Sequence, residues 1–379
     1  MNPFVYDRPL SPDASVGRLR EQELVCELAL SGQSSRLIAP RRYGKTTLLS
    51  AAGAQLEREG YLFVHVDFSR VRRLDDVALR LHSAWERSLC RRGTRNLWRK
   101  VNKQVSGYLE VGVPGLARGG ITIAPARHRN TLEAIHKLLA IPERLGGDRR
   151  AFICFDEFAE LLTARDDIDG IVRSHIQHHG QAASYCFAGS QASVMQALFA
   201  DRRRPLFAQA REVQLDPIRP EALRPWLETR FNERPRLSVN ALRPDALAEA
   251  VVARTGGHPQ RAMMLAHFIW QRMPAHDPNV VDIALGEALG EASGEIEQLW
   301  RGLDPGQRRA LATAAAGYPH LLGRDALALS GNAKSTMQAA RKALLLEGIL
   351  RDRGSEGIEV TDPFVPLWLE GGGEQTRKR

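Results

Sequence analysis

In the N-terminal half of the chain, short apolar runs alternate with longer stretches whose apolar positions recur every three or four residues. Residues 35–39, 61–66, 151–155 and 183–188 read as strands, with 212–215 a weaker fifth. The runs 151–155 and 183–188 are apolar without alternation, the pattern of strands buried on both faces. Between the strands, 18–30, 45–59, 74–103 and 131–145 carry helical periodicity. The first of these offers Leu19, Val25, Leu28 and Ala29 to one face, and the third offers Leu74, Val77, Leu81, Trp85 and Leu89. Two β-rich pieces, 108–113 and 120–124, predict a hairpin, and 146–148 a turn. Strands separated by helices predict an α/β class with a parallel sheet covered on both faces.

Beyond Pro217, Pro220 and Pro225 the pattern turns helical as far as about residue 300. Residues 304–370 then read as a winged helix-turn-helix. A helix over 305–315 is opened by Asp304 as cap and Pro305 at its first position. A short helix over 325–329 follows, then a helix over 332–347 with Met337, Ala340, Leu344 and Leu345 inward, then a hairpin wing over 348–360. The expected organisation is a phosphate-binding core over 1–216, a helical unit over 217–300, a winged helix over 301–370 and a disordered tail over 371–379.

Composition adds little until charge is considered. No run approaches the roughly 18 apolar residues of a spanning helix, and Met1-Asn2-Pro3 opens no charged-then-apolar leader. A soluble, cytoplasmic protein is expected. Cys26, Cys90, Cys154 and Cys186 lie far apart without zinc-type pairing, and Cys154 and Cys186 read as small buried hydrophobes. The formal charge is +9. Segment 70–103, which opens on Arg70 and closes on Lys103, holds eleven Lys/Arg against three acids, interleaved with Trp85 and Trp98. Such a segment suits an anionic partner or an ordinary solvated helix.

Two motifs carry chemistry. Ala39-Pro40-Arg41-Arg42-Tyr43-Gly44-Lys45-Thr46 matches G-x-x-x-x-G-K-[ST] except that Ala39 replaces the first glycine. A strand precedes it and a helix follows, so loop N–H groups and the helix N-terminus converge on a phosphate. Lys45 is expected to reach the β- and γ-phosphates of ATP, and the Thr46 hydroxyl to hold Mg2+. Ala39 strains the loop if that position needs positive φ and costs nothing if it is extended. The second motif is an apolar strand ending in Asp156-Glu157. Asp156 is expected at the metal and Glu157 as general base on the attacking water.

With these residues in view, the chain resembles the archaeal-type ATPases of the STAND group of P-loop NTPases, relatives of the AAA+ proteins. Val16-Gly17-Arg18-Leu-Arg-Glu21 is similar to the group's entry motif. Pro40 to Thr46, continuing through Thr47-Leu48-Leu49, is similar to its arginine-bearing loop, and Phe155-Asp156-Glu157-Phe158 to its acidic strand end. Phe187 to Ser190 resembles its sensor strand, Gly257-His258-Pro259 the G-x-P motif of a helical lid, and Asp362-Pro363 to Trp368 the end of its winged helix. The resemblance implies an extra strand between the loop strand and the acidic strand. It implies Gly17 and Arg18 near the adenine or ribose, Ser190 sensing the γ-phosphate, and His258-Pro259 near the base. Among Arg202, Arg203, Arg204 and Arg211, Arg211 is the preferred arginine for the γ-phosphate.

Two functions fit. One is an ATP-hydrolysing switch whose nucleotide state controls a protein partner. The other is a nucleic-acid-binding regulator, with DNA or RNA held by segment 70–103 or by the winged helix through Lys334, Ser335, Gln338, Arg341 and Lys342. Twelve basic against nine acidic residues from Arg301 onward make only a weak footprint for a phosphate backbone.

Overall fold

The computed structural model describes residues 2–12, 15–91, 95–109, 127–145, 149–234, 243–273 and 277–372. The expected hairpin from residue 110 onward, the turn at 146–148 and the tail from 373 lie outside the described residues.

Helix α1 (Leu19–Leu30) leads into β1 (Ser35–Ile38), α2 (Lys45–Arg58) and β2 (Leu62–Asp67). Helices α3 (Leu74–Arg91), α4 (Arg95–Leu109) and α5 (Arg127–Leu139) follow, then β3 (Ala151–Asp156). After the short α6 (Leu161–Ala164) come α7 (Ile168–His179), β4 (Ala183–Gly189), α8 (Ala192–Ala200) and β5 (Arg211–Gln214). All strand pairs in this sheet are parallel and the order is β2-β3-β4-β1-β5, so β4 separates the loop strand from the acidic strand.

Strand alternation divides the core into two layers. Ile153 and Phe155 of β3, with Tyr185 and Phe187 of β4, face a cluster roofed by α3, α4, α5, α7 and α8. Phe152 and Cys154, with Cys186 and Ala188, face the other side, where α1 and α2 cover them. Cys154 and Cys186 are buried there as free thiols.

The expected helix over 74–103 is in fact two, and residues 108 and 109 close α4 rather than open a strand. Trp85 and Trp98 are buried in the α-helical layer, because the apolar stripe of this amphipathic segment turns toward the sheet. Leu19, expected on the inner face of α1, is 66% exposed. No helix among the described residues is long and apolar enough to cross a membrane.

The rest of the chain is helical: α9 (Pro220–Asn232), α10 (Pro244–Thr255), α11 (Pro259–Arg272) and α12 (Val280–Gly302). It continues with α13 (Pro305–Ala315), α14 (Arg324–Ser330) and α15 (Lys334–Leu346), an antiparallel pair β6 (Leu350–Asp352) and β7 (Ile358–Val360), and α16 (Phe364–Glu370). Asp304 caps α13 in a reciprocal box with Gln307. One apolar cluster runs through this whole region, from Leu223 of α9 to Val365 of α16. The N-terminal Phe4 is buried in the same cluster.

Candidate functional site

The loop between β1 and α2 bends through two left-handed residues, Arg42 (φ 66°) and Gly44 (φ 83°). Glycine carries no Cβ penalty at such a dihedral, whereas an arginine does. Ala39 is not among the described non-glycine residues with positive φ, so alanine adds no backbone strain where the motif usually has glycine. Lys45 opens α2 and is 6% exposed. Its Nζ donates to Ala39 O and Pro40 O, both at 3.0 Å, and lies 3.8 Å from Glu157 Oε1. Burial lowers the Lys45 pKa, and the nearby Glu157 and Asp156 carboxylates oppose that only in part.

Strand β3 delivers the acids. Thr46 Oγ1 donates to Asp156 Oδ2 at 2.8 Å, and His65 Nε2 lies 3.3 Å from the same oxygen. Burial alone would raise the Asp156 carboxyl; the bonds and charge of His65, then Thr46 and Lys45, outweigh it and hold it below the usual range. Glu157 follows in the left-handed region at φ 49°, which turns its side chain toward the neighbouring strand end. There its Oε2 accepts from Ser190 N at 3.1 Å and Ser190 Oγ at 2.7 Å.

Lys45, Thr46 and Glu157 border a cleft of about 1000 Å³ between the sheet and the C-terminal helices. Arg18, the loop residues from Arg41 to Thr47, Glu157 and Pro259 line it. Arg18 is buried and donates to Tyr43 O at 3.3 Å. Gly17 does not line the cleft. Instead a Cβ on Gly17 would lie 2.3 Å from Ile218, and one on Gly257 2.1 Å from Ile218 O. Two glycines from separate motifs thus let the chain pack against one residue of the linker to α9.

The C-terminal helices hold the loop directly. Arg42 pairs with Glu295 of α12. Glu295 also sits 3.3 Å from Arg261, a 1%-exposed guanidinium whose Nε donates to both oxygens of Asp362 at 3.0 Å. Tyr43 Oη donates to Thr361 O at 3.3 Å, and its ring meets His258 edge-on with centroids 4.8 Å apart. His258 caps α11 by accepting from Arg261 N, and burial pushes its imidazolium down to about 4.

One expected placement, that of Arg211, needs correction. Arg211 begins β5, paired with Ser35 at the start of β1, whereas the loop follows the last residue of β1. In a parallel sheet that puts Arg211 at the opposite end from the cleft. Ser190 spends its hydroxyl and amide on Glu157 and does not line the cleft. His258 is a cap against Tyr43 and, unlike Pro259, does not line the cleft.

Sequence reasoning also missed residues. The arm from Val5 to Leu10 forms one wall, with Leu10 N donating to Thr47 Oγ1 at 3.2 Å. Its prolines signalled extended chain, and nothing local signalled where it docks. Arg70 and Arg80 line the cleft, the first at φ 61°. Arg261 stands two residues past Pro259 and is the hub of the ion network.

No protein-family model matches the chain, and no curated protein does. Among solved structures the chain is similar to the Walker-type ATPase PABY2304 of Pyrococcus abyssi, at 20% identity and TM-score 0.68, over 97% of this chain and 99% of that one. It is also similar to the Aeropyrum pernix ORC2 protein in ADPNP–ADP complexes, at 15% identity and TM-score 0.57, over 97% of each chain. At such identities the likeness speaks to the fold: this chain has the P-loop NTPase fold, a parallel five-stranded sheet with helices on both faces.

Proposed function

We propose that the protein binds ATP with Mg2+ in this cleft, hydrolyses it, and signals its nucleotide state to a protein partner through the C-terminal helices. The observation that carries the reading is the convergence of Lys45, Thr46, Asp156 and Glu157 at the cleft-side ends of β1 and β3. Loop N–H groups and the N-terminus of α2 suit the phosphates, with Lys45 exchanging its loop carbonyls for phosphate oxygens. The Thr46 and Asp156 oxygens, 2.8 Å apart, are a hard donor pair that fits Mg2+. The ion supplies charge neutralisation on the phosphates. Glu157 accepts the proton of the attacking water once Ser190 yields its carboxylate. Arg18, Pro259 and the arm from Val5 to Leu10 wall the cleft where a base and ribose would lie. Arg70 and Arg80, which line the cleft as Arg211 does not, are the arginines we assign to the γ-phosphate.

In this reading 1–216 is the ATPase core, 217–300 a helical lid and 301–370 a winged helix, as in the STAND relatives of AAA+ proteins, in a cytoplasmic protein. The shared apolar cluster favours lid and winged helix moving as one body. Glu157→Gln is expected to keep ATP affinity and lose at least about 100-fold in turnover. Lys45→Ala is expected to lose ATP binding. Unchanged ATP affinity in Lys45→Ala, measured by titration, would overturn the assignment of the cleft.

A second reading, nucleic-acid binding, is favoured by one observation. Arg72, Arg73, Arg80, Arg87, Arg95 and Arg99 are all exposed along the α3–α4 segment. The burial of both tryptophans removes the aromatic half of that interface.

A further inference from the structure

A second cluster lies far from the cleft. Helix α7 ends on His175 and His179, one turn apart on the same face, just before β4 begins. A 3-10 turn over Pro142–Arg144, between α5 and β3, brings Glu143 beside them. Each of the three offers one ligand atom, and these atoms lie within 4.8 Å of one another. Both the turn and the end of α7 precede strand starts, so the cluster stands at the opposite end of the parallel sheet from the loop.

The surroundings are those of prepared ligands. The His179 side chain is 1% exposed, and its Nε2 makes no hydrogen bond although it is buried. Glu143 Oε1, at 3.5 Å, is the atom it faces. A buried nitrogen left unpaired calls for a partner. His179 Nδ1 is fixed by Tyr185 Oη at 2.6 Å. With the proton on Nδ1 and donated to that oxygen, the Nε2 lone pair points into the cluster, the arrangement by which an outer hydrogen bond sets a ligating tautomer. His136 Nδ1 of α5 lies 2.8 Å from His175 Nε2 and orients the second ring in the same way. Glu143 is 45% exposed, which leaves an entry path and room for water.

We propose that Glu143, His175 and His179 form a binding site for a divalent transition-metal ion, zinc in the first place. Two imidazoles at i and i+4 with one carboxylate and an open position are a zinc donor set, and imidazole disfavours Mg2+ and Ca2+. Glu143 Oε1 and His179 Nε2, 3.5 Å apart, already stand near the edge length of a tetrahedron with zinc bonds of about 2.0–2.1 Å. The bound ion would clip the turn after α5 to the end of α7 and steady the layer that covers β3 and β4. This site is independent of the nucleotide reading.

The test uses untagged full-length protein, stripped with a chelator and titrated with zinc chloride against a chromophoric competitor. One equivalent binding at about 1 µM or tighter is expected. Glu143→Gln and His175→Gln should each weaken it at least about 10-fold, and zinc should raise the melting temperature of the wild type more than that of either variant. Glu143→Gln changes an exposed side chain, so its fold is expected to match the wild type, checked by circular dichroism. Absence of tight zinc binding, or unchanged affinity in both variants, overturns the proposal.

Discussion

At the residue scale, two positions turn on backbone and burial rather than on contact with a ligand. Ala39 stands where the loop motif has glycine, yet its φ is not positive, and it is 3% exposed. Restoring glycine therefore removes a buried methyl and frees the unfolded chain. Ala39→Gly is expected to lose about 1–2 kcal/mol of stability by denaturant titration, with ATP affinity within about two-fold of wild type. A large gain in affinity would show that the alanine strains the loop. His258 is the other. Its folded pKa of about 4 lies below the unfolded value near 6.5. The unfolded chain therefore binds the proton more readily. The stability from keeping this ring neutral is complete above about pH 6.5 and is lost as pH falls toward 4, by up to about 3 kcal/mol. His258→Gln can still accept from Arg261 N, and unfolding curves across that window should show a shallower fall in the variant. Identical slopes would refute the burial argument.

At the element scale, the loop is not a free-standing strand-turn-helix. Glu295 of α12 pairs with Arg42, a non-glycine residue in left-handed geometry, and lines the same cleft as Lys45 and Thr46. It also touches Arg261, which Asp362 neutralises. Glu295 is 43% exposed, so screening keeps its contribution to stability small. Glu295→Gln should change stability by less than about 1 kcal/mol. It removes a negative charge from the cleft wall and releases Arg42, so ATP affinity should rise about two- to five-fold. Asp362→Asn differs, because it leaves the buried Arg261 short of its main carboxylate partner. A loss of about 2–4 kcal/mol in unfolding experiments is expected. Equal effects of the two variants on both readouts would deny Glu295 its link to the loop.

The same elements show what was legible in the sequence. The loop, the acidic strand and α13 with its cap were readable because each is set by local periodicity or a local turn. Strand polarity is legible too: Arg211 opens its strand, and in a parallel sheet that start lies at the end away from the loop. The arm from Val5 to Leu10, the exchange of Ser190 with Glu157, and the Arg42–Glu295–Arg261–Asp362 chain join residues tens to hundreds of positions apart, where no periodic signal reports contact.

At the scale of the whole molecule, a sheet body and a C-terminal helical body with one apolar core meet across the cleft, and the chain carries a formal charge of +9. Part of that excess lies on the exposed side of α3 and α4, away from the buried tryptophans. Exposed cations whose neighbouring tryptophans, Trp85 and Trp98, are turned inward can neutralise phosphates but offer those rings to no base. Nucleic acid is therefore expected to bind weakly and without sequence preference, with single strands gaining nothing from unpaired bases. Fluorescence anisotropy across a salt series measures this directly. Affinity should fall steeply with salt, because each neutralised phosphate releases counterions. Changing Arg95, Arg99, Lys100 and Lys103 to Gln removes four exposed cations. It should flatten the log–log slope by up to about 3.6 units on duplex DNA, while ATP affinity stays as in wild type, since none of the four lines the cleft. Tight, salt-insensitive binding by the wild type, or a slope unchanged in the variant, would place any nucleic-acid contact elsewhere, with α15 and its exposed Lys334, Ser335, Gln338 and Lys342 the next surface to test.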